Sequence, residues 1–426
     1  MSKVYKNLLL ILVIISLFAA AGNCQRLPHF VYSEVHIIPS DSINKIYYSY
    51  RIPYDRFVFV KDGDKYTAGF RITIEVTDSA GQYITRQNEE KIISTNNFDE
   101  TTANDKYVEG VLSFRTGEGF FNILPFITDE NSIRDIRMHP LKFSTKLKEI
   151  SKFLRPLICD SFKISCNNSQ SFELTNFEGS IPFSEDNYFL IIPSSDTTLD
   201  EIKVKIFNKD DTVFSGIVKS YFDSDISLIE CSNKILIETG SKTERFRNFV
   251  VKNFSQKLKE GEFQVYVSGK GNSKPKKYFV ENVKWFNKPF SLYESKNAIE
   301  LLKYTANKIL VDSLLGYNSK KYNEVLFNYW RKYDPTKSTE FNPLMNEFYT
   351  RVDYAMKSFS PLSGKDGADT DRGKVYIIYG KPKEIERTSN KYGRMVERWI
   401  YENPVRIFEF VEKDGTGNYT LLKNNE

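Results

Sequence analysis

Three aspartates and one arginine near residue 370 are the side chains whose types and spacing best suit chemistry. Asp366, Asp369 and Asp371 could offer oxygen ligands to a cation from one loop. No glutamate stands at the offset of the twelve-residue calcium loop, however, and Lys365 and Arg372 would oppose a bound cation. We therefore predict that the carboxylates cap backbone N–H groups, that Arg372 pairs with a carboxylate elsewhere, and that the protein uses no metal or cofactor.

Two other kinds of chemistry find little support. The three histidines, His29, His36 and His139, would have to join groups from distant surfaces to form a triad, and there is no Gly-x-Ser-x-Gly elbow. The segment Gly380-Lys381-Pro382 has one glycine and no following Ser or Thr. It predicts a turn between strands and not a phosphate-binding loop.

Composition indicates several domains built largely from strands. The chain has 426 residues, a net charge of +5 and an aromatic fraction of 15%, with 33 Phe, 26 Tyr and only 3 Trp. A length of this order suggests two to four domains, and Phe and Tyr pack well on pleated sheets. Basic and acidic residues are interspersed, so we expect no nucleic-acid partner.

Two tandem immunoglobulin-like β-sandwiches are predicted, over residues 28–150 and 151–288. In the first, apolar side chains alternate with polar ones at Ile46, Tyr48, Tyr50 and Ile52 and again at Phe70, Ile72, Ile74 and Val76. In the second they alternate at Ile202, Val204 and Ile206 and from Gly261 to Val267. Asp62-Gly63 predicts a hairpin turn in the first sandwich.

After residue 289 the apolar period changes to that of helices. We predict a helical connector over 289–338, opened by a capping box from Ser291 to Glu294. A further helix is predicted from Asn342-Pro343, and Val375 to Tyr379 is predicted as a strand of a C-terminal α+β domain at 339–426. We expect each of the four segments to have its own core.

The amino terminus predicts export. Lysines precede an apolar run from Leu8 to Phe18, and small residues follow it, which is the order of a signal peptide over residues 1–22. An uncleaved anchor helix is one alternative, although the run is about 15 residues and a span needs about 20. Lipid attachment at Cys24 is another, although Asn23 departs from the small residue that a lipobox has before its cysteine.

Three further cysteines could be oxidised in an exported protein. Cys159 could pair with Cys166 across a hairpin or with Cys231, and the sequence leaves the pairing open.

The stretch from about 285 to 422 resembles the GWxTD domain of bacterial exported proteins. The residues that carry the resemblance are the loop Gly367, Ala368, Asp369, Thr370, Asp371, Arg372 and Gly373, together with Arg351, Tyr379, Gly380, Pro382, Trp399 and Tyr401. Ala368 stands where the family has the tryptophan of its name. The resemblance implies a C-terminal domain without an established enzymatic activity.

These observations predict a non-enzymatic protein of the cell envelope, in the periplasm, in the outer membrane or outside the cell, that binds or scaffolds a protein partner. Contact with the membrane would need a lipid or an uncleaved anchor, and the sequence leaves open whether a small molecule binds. One alternative is an enzyme whose site lies around Asp369, Asp371, Arg372 and Arg351. The other is a carbohydrate-binding module on the sandwiches.

Overall fold

The computed structural model describes residues 31–39, 43–103, 105–132, 134–146, 153–164, 170–239, 245–269 and 277–425. The predicted signal peptide and Cys24 lie outside these residues. The chain divides into two compact units. The first comprises residues 1–148, 176–178 and 228–235, and the second comprises 149–175, 179–227 and 236–426.

The first unit contains a β-sandwich. Sheet A has the strand order β1-β2-β6; in sheet B the order is β3-β4-β7-β8, with β5 on β4 and β9 on β7. The strands are β1 (Tyr32–Ile38), β2 (Asn44–Pro53), β3 (Val60–Asp62), β4 (Lys65–Asp78), β5 (Tyr83–Thr95), β6 (Tyr107–Thr116), β7 (Phe120–Asp129), β8 (Arg134–Arg137) and β9 (Leu141–Ser144).

The core of this sandwich lies between the two sheets, because the predicted alternation places one set of side chains inward. Both predicted apolar sets are buried: Ile46, Tyr48, Tyr50 and Ile52 from sheet A, and Phe70, Ile72, Ile74 and Val76 from sheet B. The hairpin at Asp62-Gly63 joins β3 to β4, as the sequence predicts.

The second sandwich belongs to the second unit, except for residues 228–235 of its strands β17 and β18, which are assigned to the first. Sheet C has the order β16-β19-β13-β10-β11-β18-β17, and sheet D has the order β12-β21-β20-β14-β15. The strands are β10 (Leu157–Ile164), β11 (Gln170–Leu174), β12 (Ser180–Pro182), β13 (Phe189–Ser194), β14 (Ile202–Asn208), β15 (Asp211–Val218), β16 (Tyr221–Asp223), β17 (Ile226–Cys231), β18 (Lys234–Thr239), β19 (Arg247–Val251), β20 (Gly261–Gly269) and β21 (Lys277–Lys284). The prediction of a multidomain, mainly β chain is confirmed.

Helices and a third region of sheet complete the second unit. The helices are α1 (Ser295–Leu301), α2 (Lys308–Leu315), α3 (Tyr322–Arg331), α4 (Pro343–Ser358) and α5 (Asp371–Tyr379). Sheet E has the antiparallel order β22-β23-β24-β25, with β22 (Glu384–Ser389), β23 (Met395–Glu402), β24 (Val405–Glu412) and β25 (Tyr419–Asn425). Asn342 caps α4 by accepting a hydrogen bond from the N–H of Met345 at 3.0 Å, as predicted.

The second unit has one continuous core, which differs from the separate cores that we expected. Buried side chains run from sheets C and D through the helices to sheet E. At the junction, Phe183 beside sheet D contacts Trp285 with ring centroids 5.3 Å apart, and Phe341 before α4 lies 5.4 Å from Phe183. The connector is therefore packed into the sandwich and is not a free linker.

One local prediction for the connector is wrong. The capping box from Ser291 to Glu294 does not form, because α1 begins after Glu294, whose side chain makes no capping hydrogen bond. Instead the Asp353 carboxylate, from α4, accepts hydrogen bonds from the N–H groups of Phe290 and, at 3.1 Å, of Ser291. A long-range contact thus replaces the local one.

The segment from Val375 to Tyr379 is helical and not a strand. Thr370 caps the helix start, and Gly380, at φ +77°, ends it. The turn at Gly380-Lys381-Pro382 joins this helix to strand β22, so the prediction of a turn between two strands is wrong. A positive φ at residue 380 explains why glycine stands there.

Both of the cysteine pairings that we considered are wrong. Cys159 is buried and free, so it pairs neither with Cys166 nor with Cys231. Cys231 is disulfide-bonded, and its partner lies outside the described residues. Burial raises the pKa of the Cys159 thiol, so this thiol is a poor nucleophile. Among the described residues, no helix is both long and apolar enough to cross a membrane.

Candidate functional site

The motif loop from Gly367 to Gly373 forms the start of helix α5. The Thr370 hydroxyl accepts a hydrogen bond from the N–H of Gly373 at 3.0 Å and donates to the carbonyl of Gly367 at 2.6 Å. One turn earlier, the Asp366 carboxylate accepts from the N–H of Ala368 at 2.9 Å. These two caps satisfy backbone N–H groups that a helix start leaves open.

The loop lies close to helix α4 and folds tightly on itself, so two of its positions have no room for a side chain. A Cβ on Gly367 would lie 2.2 Å from the carbonyl oxygen of Ala355, and a Cβ on Gly373 would lie 2.0 Å from that of Gly367. Ala368, in the place of the family's tryptophan, is fully buried in the core. Backbone packing therefore accounts for both glycines of the motif.

Asp371 ties the same loop to sheet E. Its carboxylate accepts a hydrogen bond from the N–H of Leu421, in the edge strand β25, at 2.9 Å. An edge strand presents backbone groups that would otherwise face water or another chain. Asp371 thus fastens α5 to the sheet and satisfies one edge group.

Arg372 makes the most extensive contacts of the motif. Its Nη1 lies 3.2 Å from a carboxylate oxygen of Glu397, on β23, and its Nη2 donates to the carbonyl of Gly417 at 3.1 Å. The guanidinium carbon lies 3.9 Å from the ring centroid of Tyr419 and 5.3 Å from that of Phe359. Glu397, whose side chain is 7% exposed, also accepts from Arg387 and from the indole of Trp399.

Asp369 has different partners, on the connector. Its Oδ1 lies 3.0 Å from the Lys303 ammonium and accepts from the Tyr304 hydroxyl at 2.8 Å. Partial burial raises the pKa of Asp369, but the hydrogen bonds from Lys303 and Tyr304 outweigh it and hold the pKa below its ordinary value. Burial and the hydrogen bond to Asp369 raise the pKa of Tyr304 far above its ordinary value. Asp369 thus stays ionised and Tyr304 stays protonated.

Arg351 and Gly380 meet at the other end of helix α5. Arg351 Nη1 donates to the carbonyl of Ile378 at 3.0 Å, and its Nη2 pairs with Glu347 one turn away. A Cβ on Gly380 would lie 3.0 Å from the guanidinium. The Tyr401 hydroxyl donates to the carbonyl of Gly380 at 2.9 Å. Arg351 therefore supplies the positive charge that a helix C-terminus favours.

The remaining motif residues fill the core between α5 and sheet E. Trp399 is 1% exposed and packs on Phe410 with ring centroids 4.9 Å apart. The ring of Tyr379 lies 5.7 Å from that of Tyr401. Pro382 is buried at the turn into β22. These contacts hold the helix and the sheet together through apolar burial.

The three aspartates of the loop do not converge. Asp366 faces the loop backbone, Asp369 faces the connector and Asp371 faces β25. In the part of the chain that the structure describes, no group of three His, Cys, Asp or Glu side chains is placed to hold a metal ion. Each of the three aspartates therefore has its own structural partner, and the three do not form one site.

Sequence reasoning missed Glu397, Asp353 and the Lys303-Tyr304 pair. Glu397 had a detectable signal, because residues 397, 399 and 401 share one face of a strand and the other two are buried aromatics. An acid on such a face indicates a buried ion pair. The partners of Asp353 and Asp369 are 60 or more residues away in the chain, and no local pattern marks them.

The fold and these contacts define a mainly β, multidomain protein whose C-terminal α+β domain is organised around a capped helix start. The model of the GWxTD domain family matches residues 265–426. The chain is therefore a GWxTD domain-containing protein, and the resemblance seen in the sequence is confirmed. The match begins inside β20, so it includes the end of β20 and all of β21, which share a core with the helices.

Comparison with other known proteins adds little. No curated protein matches the sequence. Among solved structures, the C-terminal domain of the Streptococcus pyogenes antigen I/II-family protein AspA matches 60% of this chain and 100% of its own, at 8% identity and a TM-score of 0.18. A structure described as BspA_C_WT matches 59% of this chain and 99% of its own, at 7% identity and a TM-score of 0.14. Because both TM-scores are low, neither structure supports a conclusion about this chain.

Proposed function

We propose that this protein is an exported, non-enzymatic component of the cell envelope that binds or scaffolds another protein. The observation that carries the proposal is the use of the motif side chains. Thr370, Asp371, Arg372 and Arg351 each make internal contacts that hold α5 against α4 and sheet E. Because these side chains make contacts inside the domain, they stabilise it. A partner would then be bound by other residues on the surface of the domain.

Export is supported by two features. The amino-terminal sequence has the order of a signal peptide, and Cys231 is disulfide-bonded. Disulfides persist mainly in oxidising compartments such as the periplasm and the cell exterior.

A surface on the connector has the character of a protein contact. Phe290 and Tyr293 are 64% and 60% exposed, with ring centroids 6.3 Å apart. Asp353 fixes the backbone of this turn through the N–H of Phe290. Exposed aromatic side chains on a rigid backbone serve well as anchors at interfaces, because they bury a large area at little entropic cost.

The enzyme alternative receives no specific support from the geometry. The half-exposed group of Asp369, Lys303 and Tyr304 is the arrangement nearest to a catalytic one. The raised pKa of Tyr304 is the opposite of what a tyrosine acting as a general base requires. Arg372 faces the buried Glu397, and Asp371 faces the backbone of β25, so the two side chains do not share a cleft.

Crosslinking and mass spectrometry of the full chain in its native envelope test the proposal. We expect a processed amino terminus and crosslinks to one recurring protein, which are lost when Phe290 and Tyr293 are both changed to serine. Tyr317→Ser is the matched control, since Tyr317 is a similarly exposed aromatic of the connector. Recovery from the cytosol with Met1 intact would overturn export, and crosslinks that survive the double substitution would overturn this contact surface.

A further inference from the structure

The outer face of sheet D, in the second sandwich, carries an open cavity that the contacts of the motif do not involve. The cavity has a volume of about 510 Å³ and lies over β14, β20 and the turn after β14. Ile202, Val204 and Ile206 point into the sandwich core, so the residues between them face outward. The floor of the cavity is therefore a rigid sheet face and not a loop.

Three lysines line this cavity: Lys203, Lys205 and Lys209. All three are exposed, and in the described part of the chain none of them has an ion-pair partner within 4.0 Å. Other lysines at the margins of the sheet are paired: Lys219 lies 3.4 Å from Glu201, and Lys259 lies 2.8 Å from Asp211. Three lysines without an ion-pair partner among the described residues therefore line one cavity.

The spacing of these lysines is set by the strand. Lys203 and Lys205 are two residues apart on one face of β14, so their Cα atoms are separated by about 6.5–7 Å. A row of anionic groups with a similar repeat could contact both at once.

An aromatic strip crosses the same face. Phe207 packs edge-on against Tyr266, with ring centroids 5.5 Å apart, and Tyr266 stacks on Tyr278 at 5.9 Å and 27° between the ring planes. Tyr278 is 61% exposed. Exposed rings in a fixed orientation offer flat apolar surfaces to a ligand that has flat apolar faces of its own.

Polar groups of both kinds stand beside the rings. Gln264, Ser268 and Asp210 line the cavity together with the lysines. The Tyr266 hydroxyl donates to the amide oxygen of Gln264 at 2.8 Å, and the Gln264 amide nitrogen donates to the Glu262 carboxylate at 3.5 Å, which fixes the Gln264 side chain beside the rings. A carboxylate such as Asp210 would repel a bare anion, but it accepts hydrogen bonds from hydroxyl groups.

We propose that this face binds an acidic polysaccharide, with sugar rings stacked on Tyr266 and Tyr278 and with the anionic substituents directed at Lys203 and Lys205. Sugar rings present flat C–H faces, hydroxyl groups and, in uronic acids, carboxylates, so one ligand uses the aromatic, polar and cationic parts of the cavity together. An acidic peptide fits less well. Both neighbours of β14 and of β20 are strands of the same sheet, so a peptide has no backbone edge to pair with in the cavity.

This proposal concerns a surface remote from the motif and stands apart from the proposed function of the C-terminal domain. The test uses the full mature chain with polygalacturonate as the probe, and binding is measured by isothermal calorimetry in 0.15 M NaCl. We expect binding that weakens at least about tenfold when Lys203 and Lys205 are both changed to serine, and that weakens further at higher salt. Lys219→Ser, a change of a paired lysine outside the cavity lining, should leave the affinity unchanged.

Binding measurements with other polymers distinguish the ligand classes. Dextran tests the need for charge, and polyglutamate and single-stranded DNA test whether any polyanion suffices. Tyr278→Ala removes an exposed ring without disturbing the core and should weaken polygalacturonate binding while leaving polyglutamate binding unaffected. Absence of polygalacturonate binding, equal binding of polyglutamate or DNA, or affinity unchanged in the lysine double variant would each overturn the proposal.

Discussion

The ion pair between Arg372 and Glu397 makes the strongest quantitative prediction about the motif. Changing Arg372 to methionine keeps much of the side-chain volume but removes the charge. Three contacts are lost: the pair with Glu397 at 3.2 Å, the hydrogen bond to Gly417 at 3.1 Å and the position over Tyr419 at 3.9 Å. The side chain of Arg372 is 13% exposed and that of Glu397 is 7% exposed, so water replaces little of what is lost.

The magnitude follows from what remains around Glu397. Removing one partner of a buried ion pair costs about 3–5 kcal/mol, because the other charge is left in the interior. Glu397 keeps Arg387 at 3.0 Å and the Trp399 indole at 3.2 Å, although Arg387 is mostly exposed and its charge is screened. We therefore expect Arg372→Met to lower the free energy of unfolding by about 2–3 kcal/mol.

Urea unfolding followed by tryptophan fluorescence measures this effect in the relevant part of the chain. Trp285, Trp330 and Trp399 are the three tryptophans of the protein, and all lie in the second unit. Adding Glu397→Gln to Arg372→Met removes the unpaired charge and should restore about 1 kcal/mol. The explanation would be refuted if Arg372→Met lowered the free energy of unfolding by less than about 0.5 kcal/mol, or if the double variant were less stable than Arg372→Met alone.

Two further predictions concern the loop and the connector. Gly373→Ala places a Cβ 2.0 Å from the carbonyl oxygen of Gly367. We therefore expect the free energy of unfolding, measured in the same assay, to fall by about 2–3 kcal/mol. The control, Lys374→Ala at an exposed position, should change it little. Burial raises the pKa of Asp353 despite its hydrogen bonds to Ser291 and Phe290. The folded state then binds the proton more readily than the unfolded state, so the wild type should gain stability relative to Asp353→Asn as the pH falls through the raised pKa toward about 3.9. A difference in stability that does not vary with pH would contradict this.

Strands in this chain could be predicted from the sequence because one face of each is buried. The apolar sets on β2 and β4 alternate strictly, and a shift by one residue would expose the whole set. The same rule accounts for the buried face of β23 and β24, where Trp399 pairs with Phe408. Most of the strands could therefore be predicted from the two-residue period of their apolar side chains.

Helix α5 could not be predicted from its apolar residues alone. Its last five residues, Val375 to Tyr379, are β-branched or aromatic and favour strands by propensity. The start signal at Thr370 and the stop signal at Gly380 outweigh that propensity, because both caps are satisfied in the fold. The contacts of Asp353 and Asp369 depend on tertiary packing and leave no trace in the local sequence.

The alanine at position 368 agrees with a structural role for the motif. The contacts that fix the loop come from the backbone of Gly367, the Thr370 hydroxyl and the Asp371 carboxylate, and none of them uses the side chain of residue 368. Loss of an indole there removes apolar packing at one position but leaves the helix start and its attachment to β25 in place. A partner of this domain would therefore be bound by the outer surface and not by the motif loop, and Ala368, which is fully buried, would not touch it.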